Sequence, residues 1–406
     1  MPLPGDLTLL YVRCMQMNTA EAERIVRAGA EALQRGDPKT ARAAFEKVTA
    51  TGRANAQIWL LLAHACRSGG DQKGEEAALD QLLAVEPRNL RGLIMKGDCR
   101  AQSGDSRAAT SFYKAAMGSA AGPLPPDLAA EKARIETWLK KVDADYRLHL
   151  ERSLANAGVE GAQSSQRFQQ SLEILFGEKQ IFLQQPSAYY FPELPQRQFY
   201  EREEFPWLAA VEAYTDVMRT ELQVVLEQED EAFSPYLVAS PARPRTDFHG
   251  LLDNPDWSTF YFWENGAAVE ENVALCPRTY AALRDVPLPH ITTRAPAIFF
   301  SRLRPGARIP PHNGTLNTRL ICHLPLIVPP GCGFRVGNET REWETGKALI
   351  FDDTIEHEAW NDSNEDRVVL IFDIWRPELT DAERRAVTAI FEAVDSYSGP
   401  PADPPA

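Results

Sequence analysis

The chain lacks several features that would fix its class at once. Across 406 residues no window reaches the roughly 18 uninterrupted apolar residues that a membrane span needs, so no span is predicted. Cysteine is scarce. Cys14, Cys66, Cys99, Cys276, Cys322 and Cys332 include no CxxC pair, so no disulfide framework is expected and a reducing cytoplasm suits them. Basic residues are outnumbered, with 43 Lys and Arg against 57 Asp and Glu and a formal charge of −14. Duplex binding needs a basic footprint, so nucleic acid is not an expected partner; the excess acid suits solubility. The N-terminal stretch MPLPGDLTLLYVRCMQMN lacks the basic opening of a secretory signal, and Arg13 breaks its apolar run. Residues 1–16 read as a start placed too early or a loose tail.

What is present is an ordinary globular balance, 44% hydrophobic and 25% charged, which argues against wholesale disorder. The length suggests two or three domains. A repeat comes first. Gly-Asp occurs at Gly36-Asp37, Gly70-Asp71 and Gly104-Asp105, each 34 residues from the last. In register lie the small residues Gly29, Ala63 and Gly97, the bulky Phe45, Leu79 and Tyr113, and Ile25, Trp59 and Leu93. A small residue lets two helices approach, Gly-Asp turns the chain, and the large residue fills the gap. This pattern over residues 18–120 resembles the tetratricopeptide repeat, whose stacks present a concave surface to partners. Glu75 departs from it, standing where the repeat usually has Ala. Residues 121–184 are read as a linker and connecting helices, with helices predicted from Leu128 to about Ala157 and over Gln166–Leu175.

From about residue 185 short β-prone runs alternate with turns: Ala297–Leu303, Leu320–Ile327, Phe334–Val336, Ala348–Phe351 and Val368–Trp375. They predict a sandwich or barrel over 185–396. One helix is expected at about Phe205–Glu227. Thr380 and Glu383 form a capping box for another. The tail 397–406 is expected to be disordered.

Three of seven histidines share a structured context. His312 follows Pro310-Pro311, and His357, 45 residues later, sits in FDDTIEHEAWN. Distant strands of a jelly roll can bring two such residues to one metal. The usual facial triad puts Asp or Glu two residues after the first His; here that position is Gly314, which by spacing alone weakens a metal site. Arg367 opens the strand Val368–Trp375. It either points into a barrel mouth as a fork for a carboxylate or pairs at the strand edge with Asp366 or Glu365. Asp352, Asp353 and Glu356 either orient His357 or serve the turn; turn chemistry suits Asp352, and Asp353 stays open. Trp257, Phe260 and Tyr261 either line a cleft or pack in the core.

The pieces PHNG, CHLPL, NET, WE-x-GK, FDD-x-x-EHE and DIW-x-PEL, closely over residues 301–380 and loosely over about 185–395, resemble the aspartyl/asparaginyl β-hydroxylase family. The resemblance implies an α+β multidomain chain, helical repeats followed by a double-stranded β-helix oxygenase that uses Fe(II), 2-oxoglutarate and O2. It implies His312 and His357 as iron ligands, with Gly314 matching the family's unusual glycine. It further implies Arg367 and Ser301 on the distal carboxylate of 2-oxoglutarate, and His323 as a co-substrate residue near the metal. Two residues before His323 the family often has an arginine, where this chain has Ile321. Arg319 lies on the same strand face by alternation and is the substitute this suggests.

The activity so implied is hydroxylation of a C–H bond, first the β-carbon of Asp or Asn in a peptide or protein substrate contacted by the repeats, with release of succinate and CO2. A small-molecule or lipid acyl-chain hydroxylase is the alternative, and a non-catalytic repeat scaffold the third reading. No feature of the sequence assigns an oligomeric state.

Overall fold

The computed structural model describes residues 17–398 apart from 53, 121, 160–164, 229–231, 240–247 and 293. The expectations for residues 1–16, and for the tail from 399 onward, fall outside the described residues. The chain divides into two compact units, Met1–Gln169 and Gln170–Ala406.

The first unit is helical. Three hairpins pair α1 (Thr19–Gln34) with α2 (Pro38–Thr49), α3 (Ala56–Ser68) with α4 (Gln72–Val85), and α5 (Leu90–Gln102) with α6 (Ser106–Ser119); the long α7 (Pro126–Asn156) follows. The Gly-Asp repeat divides its labour. Gly36, Gly70 and Gly104 take positive φ (77°, 72° and 81°), a region that costs glycine nothing. Asp37, Asp71 and Asp105 then cap the next helix, each accepting a backbone N–H three residues on. Asn55 and Asn89, also 34 apart, cap α3 and α5 in the same way, a signal in the sequence beside the glycines. Phe45, Leu79 and Tyr113 are buried. Glu75 is tolerated in an Ala position because Arg67, on the preceding helix, donates to it at 2.7 Å.

The second unit opens with α8 (Gln166–Leu175), which begins in the first. The predicted helix Phe205–Glu227 is instead two, α9 (Leu208–Glu212) and α10 (Thr215–Leu226). Pro206 delays the start, and the Thr215 hydroxyl donates to the Glu212 carbonyl at the break. Short helices α11 (Glu270–Leu275) and α12 (Pro277–Ala281) follow. The last, α13 (Asp381–Ser398), carries the capping box, with Thr380 N–H on Glu383 Oε2 and Glu383 N–H on Thr380 Oγ1. It covers the first two residues of the expected disordered tail.

Among the described residues twelve strands form two antiparallel sheets. They are β1 (Phe199–Tyr200), β2 (Ser234–Pro235), β3 (Trp257–Glu264), β4 (Ala267–Ala268), β5 (Ile298–Leu303), β6 (Arg308–His312), β7 (Arg319–Ile327), β8 (Cys332–Val336), β9 (Glu339–Arg341), β10 (Leu349–Phe351), β11 (His357–Asn361) and β12 (Arg367–Trp375). The larger runs β1-β10-β7-β12-β5-β3-β2, with β4 on β3; the smaller runs β6-β11-β8-β9. Alternation splits the larger sheet into two faces. Phe260, Phe300, Cys322, Leu324 and Phe372 pack against α9 and α10. Phe299, Ile321 and Phe351 meet Ile309, Phe334 and Ala359 of the smaller sheet. Cys66, Cys99, Cys276, Cys322 and Cys332 are free thiols.

Close helix approach sets the first unit's stability. A Cβ on Gly97 would lie 2.4 Å from the Tyr113 ring, whose hydroxyl is fixed by Asp98 at 2.7 Å. Gly97→Val is expected to lower the unfolding free energy of this unit by about 2–3 kcal/mol through overpacking. Gly118→Ala, where the added methyl meets open space, is expected to be neutral or mildly stabilising. Urea denaturation followed by far-UV circular dichroism measures both.

Candidate active site

The space between the sheets holds a cavity of about 770 Å³, counting what is open to solvent at its mouth. Its walls are mostly apolar, with Trp257, Phe299, Ile309, Phe334 and Phe351 among them. Its polar side chains are Tyr236, Ser301, His312, Asn313, Thr315, His323, Asp353, His357, Arg367 and Asp373. Sparse polar groups in an apolar cleft are the usual make-up of a ligand site.

His312 ends β6 and His357 opens β11, and the antiparallel register sets them directly opposite. Their ring centroids are 4.1 Å apart. Each Nδ1 lies against the backbone carbonyl two residues earlier, Pro310 at 2.8 Å and Ile355 at 3.1 Å. A carbonyl only accepts, so each Nδ1 carries the proton and each Nε2 keeps its lone pair. Burial holds both rings below the ordinary imidazole range; for His357 the neighbouring His312 adds to it. Two neutral imidazoles with matched tautomers are ready metal donors. Among the described residues no group of three or more His, Cys, Asp or Glu forms a metal-binding set.

Gly314 explains why no carboxylate sits two residues after His312. A Cβ there would lie 2.1 Å from Asp353 Oδ2; the space is filled by a carboxylate from the other loop. Asp353 is buried, its Oδ1 has no hydrogen-bond partner among the described residues, and burial pushes it up to about 7 against the pull of Arg319. Asp353 thus brings an orphaned acceptor to the cavity that His312 and His357 also line.

Arg367 is buried on the same cavity. Among the described residues its guanidinium forms no hydrogen bond or ion pair, only a stack on Trp343 at 5.3 Å. It does not pair with Asp366 or Glu365. Burial lowers it to about 10, so it stays charged at neutral pH. Ser301, on β5, lines the cavity too and accepts from Trp257 Nε1 at 3.3 Å. His323 lies on the cavity wall with Nδ1 unpartnered among the described residues, and burial followed by Arg367 holds it far below the usual range. A buried unpaired guanidinium is costly; with a serine and a neutral imidazole beside it, the arrangement suits a carboxylate.

Arg319 is a correction. Alternation does put it on the face of Ile321 and His323, but its guanidinium pairs with Asp373 at 3.1 Å and Asp353 at 3.5 Å and does not line the cavity. Burial works against its charge, and Asp353 and Asp373 raise it nonetheless. It braces the two carboxylates and does not substitute for the arginine replaced by Ile321. Of the upstream aromatics, Trp257 lines the cavity, Tyr261 packs on Phe299, and Phe260 is core on the opposite face. Asp373 was outside the sequence reading; inward alternation from Arg367 along β12 would have found it.

The chain was compared with known proteins. Mouse "Aspartyl/asparaginyl beta-hydroxylase" is 43% identical over 143 residues, covering 34% of this chain and 19% of the relative. The "Ornithine lipid ester-linked acyl 2-hydroxylase" of Rhizobium tropici is 37% identical over 181 residues, 44% of this chain and 60% of the relative. The chain thus spans about a fifth of the first relative and under two thirds of the second. The solved TPR domain of Sgt2 from Aspergillus fumigatus is 14% identical with a TM-score of 0.28, covering 31% of this chain and 83% of that one. Residues 212–377 match the family described as Aspartyl/Asparaginyl beta-hydroxylase.

Proposed function

We propose that the C-terminal unit is an iron(II)- and 2-oxoglutarate-dependent dioxygenase built on a double-stranded β-helix. The observation that carries this reading is the paired histidines, each with Nδ1 on a backbone carbonyl, sharing an apolar cavity with a buried Arg367 that has no hydrogen-bond or ion-pair partner among the described residues. When bound, iron(II) with 2-oxoglutarate and O2 supplies oxidation of a C–H bond to C–OH, coupled to release of succinate and CO2. His312 and His357 hold the ion through Nε2. Arg367 and Ser301 take the far carboxylate of the keto-diacid, and His323 bounds the co-substrate. Phe299, Ile321, Phe334 and Phe351 exclude water from the reacting centre. Asp353 accepts a proton or a hydrogen bond from whatever faces Gly314.

The first substrate class is a peptide or protein Asp or Asn side chain, hydroxylated at its β-carbon, with the helical repeats as the partner-facing part. The second is an acyl chain, favoured by the apolar walls and by the lipid-modifying name of one relative. Mass spectrometry for a 16 Da gain, on host peptides and on host lipids treated with enzyme, separates them. Succinate formation without added substrate tests enzyme against scaffold.

His312→Ala/His357→Ala is expected to abolish succinate formation; normal turnover by this variant overturns the reading. Arg367→Met is expected to weaken 2-oxoglutarate binding at least about 100-fold, the scale of losing one member of a buried charge pair, measured by isothermal titration with Mn(II) in place of iron. Gly314→Asp drives a second carboxylate into Asp353 and is expected to lower the melting temperature. Gly314→Asp/Asp353→Gly, which relieves the clash, is expected to recover most of that loss in differential scanning fluorimetry.

A further inference from the structure

Behind the loops that flank the two histidines lies a polar network that the proposed chemistry does not use. Arg376 and Asp352 are wholly buried and pair at 2.7 Å. Arg376 also donates to the Asn317 carbonyl at 3.2 Å, the Pro195 carbonyl at 2.8 Å and the Tyr200 hydroxyl. Asp352 accepts from Gln184 Nε2 at 2.5 Å and from the Thr354 N–H at 3.1 Å. Gln184 in turn accepts from Asn317 Nδ2 at 3.0 Å. One pair of charges therefore ties four stretches of chain: the loop after His312, the loop before His357, the end of β12, and residues 184–200.

The next residue, Asp353, is the one whose carboxylate fills the space at Gly314, and its carbonyl accepts the Gly314 N–H at 2.6 Å. Moving Asp352 therefore moves Asp353 and the approach to His357 together. A buried ion pair is weak as a source of stability, because desolvation offsets attraction; its best use is to select one arrangement over others. We infer that Arg376 and Asp352 are positioning residues that hold the two histidine loops in register for metal binding. Gln184, Pro195 and Tyr200 extend this hold to chain outside residues 212–377, where the family match lies. The inference rests on the oxygenase reading above.

Cobalt(II) titration of the full chain, followed by visible absorption, tests it. Asp352→Asn/Arg376→Gln removes both charges and leaves no lone buried ion. Its cobalt(II) Kd is expected to rise about 10-fold or more, with a changed ligand-field band. Arg294→Gln/Asp395→Asn removes another largely buried pair of the same unit, 2.7 Å apart and away from the cavity; it is expected to keep the wild-type Kd and band. Wild-type cobalt binding by the folded Asp352→Asn/Arg376→Gln variant, or an equal shift in the control, overturns the inference and leaves the oxygenase reading standing. No cobalt binding by the wild type overturns both. Should the double variant fail to fold, Gln184→Ala decides: a weaker but same-direction shift supports the network, and an unchanged Kd overturns it.

Discussion

The candidate site depends on one backbone register, that of β11 between β6 and β8. His357 stands opposite His312 on one side and Val336 on the other. A strand alternates its side chains, so a slip of one residue would turn His357 out of the cavity and Glu358 into it. The register is irregular where it matters. Between His357 and Ala359 the pairing with β6 shifts, and such bulges re-aim a side chain while the ladder continues. The backbone carbonyls of Pro310 and Ile355 then fix each ring's tautomer. Three levels of structure, strand register, bulge and ring hydrogen bond, thus combine to leave two lone pairs facing one space.

Among the described residues four arginines of this unit are buried; Arg302 donates to Ser258 and lies over Phe233, and the other three divide by what they face. Arg376 meets Asp352, and Arg319 meets Asp373 and Asp353. Each is compensated within the fold, as buried charge must be. Arg367 is not, and it bears its desolvation without a hydrogen-bond or ion-pair partner among the described residues. Proteins break their own consistency at functional sites, so the unbalanced arginine is the informative one. Its stack on Trp343 holds the guanidinium without neutralising it, which leaves its N–H groups for a ligand anion.

Much of this was legible in the sequence, and the exceptions share causes. The 34-residue period located the hairpins because each Gly-Asp turn uses both residues locally. Strands β5, β7, β8, β10 and β12 stood out as β-prone runs. Strand β6 did not, because Pro310-Pro311 argues against a ladder; it is admitted because β6 lies at a sheet edge, where missing donors cost little. The paired histidines were visible as residues, but their opposition is a matter of register between segments 45 apart. Arg319 shows the limit most clearly. Alternation placed it on the correct face, but its partners Asp353 and Asp373 come from two other segments, and no local pattern announces a long-range ion pair. Gln184 and Asn317 were invisible for the same reason: amides carry no periodic signal, and only the folded chain shows what they join.

Gly314 brings these strands of argument together. By spacing, its lack of a carboxylate counts against a metal site. By volume, the glycine is required, because Asp353 occupies the place where its side chain would begin. A carboxyl group therefore does occupy the space beside Gly314, but it is delivered from the β10–β11 loop. A carboxylate carried by that loop answers to Asp352 and Arg376 behind it and to Arg319 beside it, whereas one at position 314 would answer only to its own turn. Relocating the carboxyl group thus couples the cavity's polarity to the buried network of the domain, and the glycine is the residue that makes the relocation sterically possible.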